Sequence, residues 1–235
     1  MTLHAQHDQN KDHKVTEVVE EYCESIHNMT LEEGKPVIAA RLAERMNVSP
    51  PTVNATINRL REHGFIMLDE KNKGIRLTKM GEEVALSLSR RHRLLERLLV
   101  DVLEFDWEAA HEEACRLEHA ISPSVEKALT RFLGNPKTCP HGNPIPGSGF
   151  ILPEEAHPLD QTRIGVKVAL LRITEEAEHE PGLLRYLQEH HLMPGALLTI
   201  KSSSPFRETL SAMTDDGHEV TIGIKIASKI WVTPV

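Results

Sequence analysis

The sequence predicts a mainly α-helical protein with a small β portion, built as a winged helix-turn-helix, a helical middle and a small C-terminal β-barrel. Three observations predict it. Two short helical patterns flank the tight turn Asn47-Val48-Ser49 and lead into a strand, turn, strand pattern. From Lys79 to Leu133 the apolar residues keep a period near 3.6, broken at Ser122-Pro123 where a further helix opens. From residue 161 onward the character changes to short β-branched runs.

The elements follow in order. Residues 1–14 lack an apolar period and read as a disordered tail, and His4, His7 and His13 within it read as bystanders. Val15, Val18, Val19, Tyr22, Ile26 and Met29 recur every three or four residues and predict an amphipathic helix. Val37, Ala40, Leu42, Ala43 and Met46 predict a short second helix. Ser49 is placed to cap a third, whose first turn tolerates Pro50 and Pro51 because their missing N–H groups have no intrahelical partner there. Val53, Ile57 and Leu60 form its buried stripe, and Gly64 ends it. FIMLDEKNKGIRLT predicts a hairpin with Asn72-Lys73-Gly74 at its tip. The winged domain then spans 15–80, a helical domain 81–140, a Pro/Gly-rich linker 141–160 (its Pro- and Gly-rich composition beginning at 134), and the barrel 161–235. In the barrel, runs at 164–173, 196–202, 219–224 and 228–232 read as strands, with GLLRYLQEHHL as a short helix.

Composition narrows the function. The chain has 235 residues and a net charge of −8, which speaks against a wholly basic nucleic-acid binder. The distribution reverses this locally. Residues 36–80 carry eight Lys and Arg against four Asp and Glu, a balance of +4, and the other 19 basic and 31 acidic residues leave −12 elsewhere. A basic module on an acidic body suits phosphate contact. Three cysteines argue against a disulfide scaffold and fit a reducing compartment. No apolar run is long enough to span a membrane and the N-terminus lacks a signal-peptide core, so the expected location is cytoplasmic.

On the third helix, Thr52, Asn54, Thr56, Asn58 and Arg59 are expected on the exposed face. Short polar groups suit base edges and basic ones suit phosphates, whereas a merely solvated face more often carries Glu and Lys. Thr52, Asn54 and Asn58 are the expected base contacts. Arg41, Ser49, Arg59, Lys71, Lys73 and Arg76 are expected against the phosphates of double-stranded DNA, with Pro51 in the same DNA-binding set.

The sharpest pattern is AAHEEACRLEH. His111, Cys115, Glu118 and His119 fall within roughly a 100° sector of one helix face at about 100° per residue. All four side chains ligate metals, and a cysteine is seldom placed on a solvated face. One helix earlier His92 and Glu96 stand four apart, and Glu21 and Glu24 lie on the first helix.

With these residues in place, the order of parts and the strings RRHRLLERLL, HEEACRLEH and GNPIPG resemble the diphtheria-toxin-repressor and manganese-transport-regulator (DtxR/MntR) family. The resemblance covers about residues 15–235. It implies a helical dimerisation domain, a C-terminal SH3-like β-barrel, and a homodimer that represses transcription on a palindromic operator when loaded with metal. It further implies a primary metal site of Glu21, Cys115, Glu118 and His119, with Glu24 matching a manganese-branch ligand, and an ancillary site of His92, Glu96 and His111. In the iron branch the barrel lends a Glu, and that position matches Glu180; a second barrel ligand falls on Leu183, which cannot coordinate, so that either the ancillary shell is incomplete or His179 compensates. Glu21 follows the manganese branch and Cys115 the iron branch. Carboxylates favour the hard Mn2+ ion, so Mn2+ is the expected co-repressor with Fe2+ beside it, and Zn2+, Co2+, Ni2+ or Cd2+ as substitutes.

Rival readings use the same residues. His, Cys and Glu on one helix would also hold a catalytic zinc, but no separate general base or oxyanion loop accompanies them. A thiol switch on Cys115 lacks a neighbouring cysteine in sequence. Cys139-Pro140-His141 offers two further ligands, although the surrounding prolines and glycines read as linker.

Overall fold

The structure is a computed structural model and describes residues 15–69, 73–204, 206 and 208–235. The expected tail 1–14, Lys71 and Asn72 lie outside the described residues. The chain forms two compact units that meet in sequence at Ala85 and Leu86.

In the first unit, α1 (Glu17–Glu33), α2 (Ala39–Arg45) and α3 (Pro50–Glu62) precede a hairpin of β1 (Ile66–Leu68) and β2 (Ile75–Leu77). The turn between α2 and α3 is closed by Asn47 at φ 50°. Ser49 then caps α3, its hydroxyl accepting from the Thr52 N–H, with two prolines in the first turn as expected. Val19, Tyr22, Ile26, Leu42, Val53, Ile57, Leu60, Phe65 and Ile75 form one buried core. Val18 on α1 and Val15, which precedes the helix, belong to the expected apolar period but are exposed. The hairpin pairs Ile66 with Leu77 and Met67 with Arg76, and Val37 bridges Ile75 from the other side. α4 (Lys79–Asp101) begins here. Its first turn presses on the strand so closely that a Cβ on Gly81 would lie 2.1 Å from the Phe65 carbonyl oxygen, which only glycine avoids. Thr56 corrects an expectation. It is buried rather than on the exposed face of α3, because it stands one residue before Ile57 and shares its inward side.

The second unit holds the remainder of α4, then α5 (Trp107–Leu117) and α6 (Pro123–Phe132). The helical pattern from Lys79 to Leu133 is therefore interrupted. Glu104 takes φ 58° in the first break, and Asp106 and Ser122 cap the helices that follow. Leu94, Leu95, Leu99, Ala110, Ala114, Leu129 and Ile145 pack together. The SH3-like portion is a six-stranded antiparallel sheet in the order β3-β8-β4-β5-β6-β7. Its strands are β3 (His157–Pro158), β4 (Lys167–Ile173), β5 (Leu197–Ser203), β6 (Thr209–Thr214), β7 (Glu219–Gly223) and β8 (Ile230–Pro234). Short helices α7 (Glu175–Glu178), α8 (Leu183–Glu189) and α9 (Ile224–Ala227) join them. Val168, Leu170, Ile173, Leu198, Ile200, Leu210, Ala212, Val220, Ile222, Ile230 and Val232 point into one core, which also takes Trp107 of α5. Strand β6 is absent from the expected runs; its buried set Leu210, Ala212 and Thr214 is too weakly apolar to show in the sequence. Among the described residues no helix is long and apolar enough to cross a membrane.

The first part of the Pro/Gly-rich stretch after α6 is packed into the unit. Cys139, His141, Asn143 and Ile145 are all buried. Gly142, at φ 88°, lies against β4, where an added Cβ would stand 2.1 Å from the Leu171 carbonyl oxygen. The Ile173 N–H donates to the His141 carbonyl at 2.9 Å and fixes this segment to the strand.

Candidate metal centre

Four segments of the second unit bring His, Cys and Glu side chains together. Helix α4 supplies His92 and Glu96, four residues apart and both buried. Helix α5 supplies His111 and Cys115 one turn apart; Glu118 keeps helical backbone angles at its C-cap, so it stays on the same side. The segment after α6 supplies Cys139 and His141, and α7 supplies Glu178.

The polar atoms alternate between imidazole and carboxylate. His92 Nδ1 lies 2.7 Å from Glu118 Oε2, and its Nε2 lies 3.0 Å from Glu96 Oε1. The same Glu96 oxygen is 3.2 Å from His111 Nδ1 and 3.2 Å from His141 Nδ1. His141 Nδ1 is also 3.2 Å from Glu178 Oε1, and His111 Nδ1 is 3.7 Å from Glu178 Oε2. Cys115 Sγ approaches His111 Nε2 at 3.9 Å, and Cys139 Sγ approaches His141 Nδ1 at 3.9 Å. His119 Nε2 lies 3.5 Å from Glu118 Oε1. Asn143 anchors Glu178, donating from Nδ2 to its Oε1 at 2.6 Å and to the Ile173 carbonyl at 2.7 Å.

Burial alone would neutralise these groups, and the pairing opposes it. Burial pulls His111 down, yet its hydrogen bonds to Cys115 and Glu96 and the charge of Glu178 push it up to about 10. His92 and His141 are likewise held well above the usual histidine range, against burial, chiefly by Glu96. Burial would raise Glu96, but the charges of His141 and His92 hold it well below the usual carboxylate range. Cys115 is lowered because hydrogen bonds from His111 and His92 outweigh its burial. Cys139 is pushed up to about 11 by burial and by Glu96.

This donor set fits a divalent transition metal. Glu96 Oε2 and His141 Nε2 are buried and have no hydrogen-bond partner among the described residues. Leaving such an atom unmet costs about 1–3 kcal/mol, and buried orphans concentrate where a ligand completes the shell. Ligand atoms of His92, Glu96, His111 and Glu178 lie within 4.8 Å of one another, as do those of His92, His111 and Cys115, and those of Glu96, Cys139 and His141. Nitrogen, oxygen and sulfur in this proportion suit Mn2+, Fe2+ or Zn2+ rather than Ca2+.

Several expected residues meet in this cluster: His92, Glu96, His111, Cys115 and Glu118, with His119 beside it. Glu21 and Glu24 lie half-buried on α1 in the first unit. Glu180 does not join. It is exposed and pairs with Lys229 Nζ at 2.9 Å, because it follows the end of α7, whereas Glu178 ends that helix on its inner side. His179 is exposed, its ring centroid 5.1 Å from that of His111. Leu183 packs against the sheet core. Sequence reasoning missed Glu178, hidden in the acidic run EEAEHE, and ranked Cys139 and His141 as linker although their spacing was visible.

In the first unit, Pro51, Thr52, Asn54, Asn58 and Arg59 are exposed on α3, as are Lys73 and Arg76 on the hairpin. Ser49 is exposed and shares a 2.8 Å hydroxyl contact with Thr52. Arg41 is exposed and pairs with Glu44 at 2.9 Å.

Comparison with known proteins agrees with this arrangement. Residues 14–75 match the N-terminal DNA-binding domain of iron-dependent repressors, residues 78–147 their metal-binding and dimerisation domain, and residues 157–234 the FeoA domain. The chain is 36% identical to the iron-dependent repressor IdeR of Mycobacterium leprae over 235 residues, covering 94% of this chain and 99% of that protein. It is 31% identical to the diphtheria toxin repressor of Corynebacterium diphtheriae over 211 residues, covering 88% of this chain and 85% of that protein. Among solved structures, a manganese-dependent transcriptional repressor in complex with manganese superposes with a TM-score of 0.82 at 32% identity, covering 92% of this chain and all of that one. The repressor ScaR with bound Zn2+ superposes with a TM-score of 0.76 at 30% identity, covering 92% of this chain and 99% of that one. These relatives are regulators rather than enzymes, and the chain belongs to the iron-dependent repressor family of metal-dependent, DNA-binding transcriptional repressors.

Proposed function

We propose that this protein is a cytoplasmic sensor of Mn2+ or Fe2+ that, loaded with metal, binds a palindromic double-stranded operator as a homodimer. The observation that carries this reading is the buried cluster around Glu96, with its unmet Glu96 Oε2 and His141 Nε2, on a chain whose α3 exposes Thr52, Asn54 and Asn58.

Two ligand sets account for the cluster. One comprises Cys115, Glu118 and His119, to which the family pattern adds Glu21, with Glu24 near it in sequence. The other draws on Glu96, His111, His141 and Glu178, with His92 and Cys139 adjoining. Glu178 thus takes the part the resemblance assigned to Glu180. A divalent cation held there would neutralise the buried carboxylates and take up the unmet lone pairs. The carboxylate-rich shell favours Mn2+, and the thiols of Cys115 and Cys139 also admit Fe2+ and Zn2+. Metal that favours the DNA-binding-competent state would be favoured in turn by DNA, so that metal and operator bind reciprocally.

Dimerisation is supported by apolar surface on α6, where Val125 and Phe132 are 49% and 69% exposed while only Leu129 is buried. Two α3 helices on a twofold axis would read two half-sites about one helical turn or a multiple apart.

The test is a titration of the purified protein with Mn2+, with Fe2+ under anaerobic conditions, and with Zn2+, following binding to a promoter fragment beside its own gene or a metal-transporter gene. Saturable, metal-dependent binding that is lost in His119→Ala is the expected result. Equally tight DNA binding without metal would leave the cluster a structural feature only.

A further inference from the structure

The metal-binding cluster has a neighbouring rung of opposite charge. On α4, Arg93 stands three residues before Glu96; on α7, Glu175 stands three residues before Glu178. Arg93 Nη2 donates to Glu175 Oε2 at 2.5 Å, and its Nη1 donates to the Pro144 carbonyl at 2.5 Å. One turn along both helices, Glu96 and Glu178 meet across His141 Nδ1 at 3.2 Å each. The first rung attracts, and the second sets two carboxylates facing one another.

Helix α7 has only four residues, too few to hold its own position by backbone hydrogen bonding. Its acidic side chains are anchored separately: Glu176 reaches Lys229 Nζ at 3.1 Å at the surface, and buried Glu175 reaches half-buried Arg93. Arg93 is also the middle member of a row. Arg90 Nη1 donates to the Pro146 carbonyl at 2.6 Å, and Arg97 donates from Nε to the Thr138 carbonyl at 2.7 Å and from Nη2 to the Cys139 carbonyl at 3.0 Å. The row fastens the segment bearing Cys139 and His141 to α4. Only Arg93 within it also takes hold of the sheet domain through α7.

We propose that Arg93 and Glu175 are a positioning pair that sets Glu178 over Glu96, so that docking of α7 and the affinity of the Glu96–Glu178 metal site are one equilibrium. The inference rests on the second ligand set described under Proposed function. Neither residue is a ligand. Each acts through Glu178, as outer partners of metal ligands do, and loss of such partners weakens metal binding by about 10- to 100-fold.

The test is a double-mutant cycle on the full chain with Glu175→Gln, Arg93→Met and both together. Mn2+ binding is followed by calorimetry, and the Co2+ ligand-field spectrum is recorded for each equivalent. The expected result is two equivalents in every variant, the weaker falling by at least tenfold in each single variant and no further in the double. The other equivalent keeps its affinity, and the Co2+ spectrum changes for one equivalent only, which a general loss of stability would not produce. Should Arg93→Met fail to fold, Glu175→Gln preserves the side-chain shape and decides alone. Glu178→Ala separates the two levels of the argument. If it loses one equivalent while Glu175→Gln binds both as the wild type does, the positioning pair is overturned. If Glu178→Ala itself binds both equivalents as the wild type does, the second ligand set falls and the inference with it.

Discussion

His92 and Glu118 are joined by a 2.7 Å contact between Nδ1 and Oε2 that ties the middle of α4 to the C-terminus of α5. The other ring nitrogen of His92 meets Glu96 at 3.0 Å, so both of its nitrogens are engaged by carboxylates. A cation that takes these carboxylates must displace histidine protons, and metal binding and fold stability therefore draw on the same groups. Mn2+ at 100 times its dissociation constant is expected to stabilise the protein by about 2.7 kcal/mol. For a chain of this size that corresponds to a melting temperature higher by roughly 5–10 °C, reversed by a chelator. A melting temperature indifferent to metal would mark the cluster as an ion-pair network only.

Gly142→Ala tests whether the segment after α6 belongs to the centre. Its Cβ would meet the Leu171 carbonyl oxygen at 2.1 Å and Arg172 Cα at 2.8 Å, at a backbone φ of 88°. Rigid backbone on both sides leaves only displacement of the segment, which carries His141 and Asn143. We expect a loss of roughly 1–3 kcal/mol in stability and weaker binding of one metal equivalent. Metal binding at full affinity and stoichiometry in the folded variant would show that His141 has no part in the centre.

These two cases show what the sequence made legible. The α3 stripe of Val53, Ile57 and Leu60 was readable because a 3.6-residue period and a Ser49 cap are local signals. Thr56 was misplaced because a small polar residue gives no sign of facing inward. His92, Glu96, His111, Cys115 and Glu118 were legible for the same reason as the stripe: each set is regular on its own helix. The rest of the centre is assembled by tertiary contacts. His141 depends on Gly142 fitting against β4, and Glu178 on the register of a four-residue helix, where a shift of two residues would present Glu180 instead. Strand β6 escaped notice because Thr, Ser and Ala alternate too weakly in hydropathy to mark a face.

Two substitutions separate the roles assigned to the winged unit. Arg76 is exposed on β2, opposite Met67, where it would meet phosphate. Arg76→Ala should weaken binding to every DNA sequence alike and reduce the slope of log affinity against log salt by about 1. Asn58→Ala should instead cost about 1–3 kcal/mol on the preferred operator and little on unrelated DNA. Fluorescence anisotropy across a salt series measures both. A slope unaffected by Arg76→Ala would remove the wing from the interface.

The pH dependence follows from His111. Its folded value of about 10 lies above the ordinary value of 6.5. Between these values the folded protein binds more protons than the unfolded chain, so its stability falls as pH rises. The contribution of this histidine is complete below about pH 6.5 and lost as pH passes through about 10. Glu175 works at the opposite end: held at about 2 against an ordinary 4.5, it contributes above pH 4.5 and loses that contribution as the pH falls through about 2. Metal binding runs opposite to the histidine effect. Each proton displaced raises apparent affinity by about tenfold per pH unit, so Mn2+ should bind at least tenfold more tightly at about pH 8.5 than at about pH 7.5, while the metal-free protein melts earlier. Calorimetry in buffers of different ionisation enthalpy counts the released protons directly. Binding that releases none and is flat with pH would show that the metal does not displace the protons shared by His111 and Glu96.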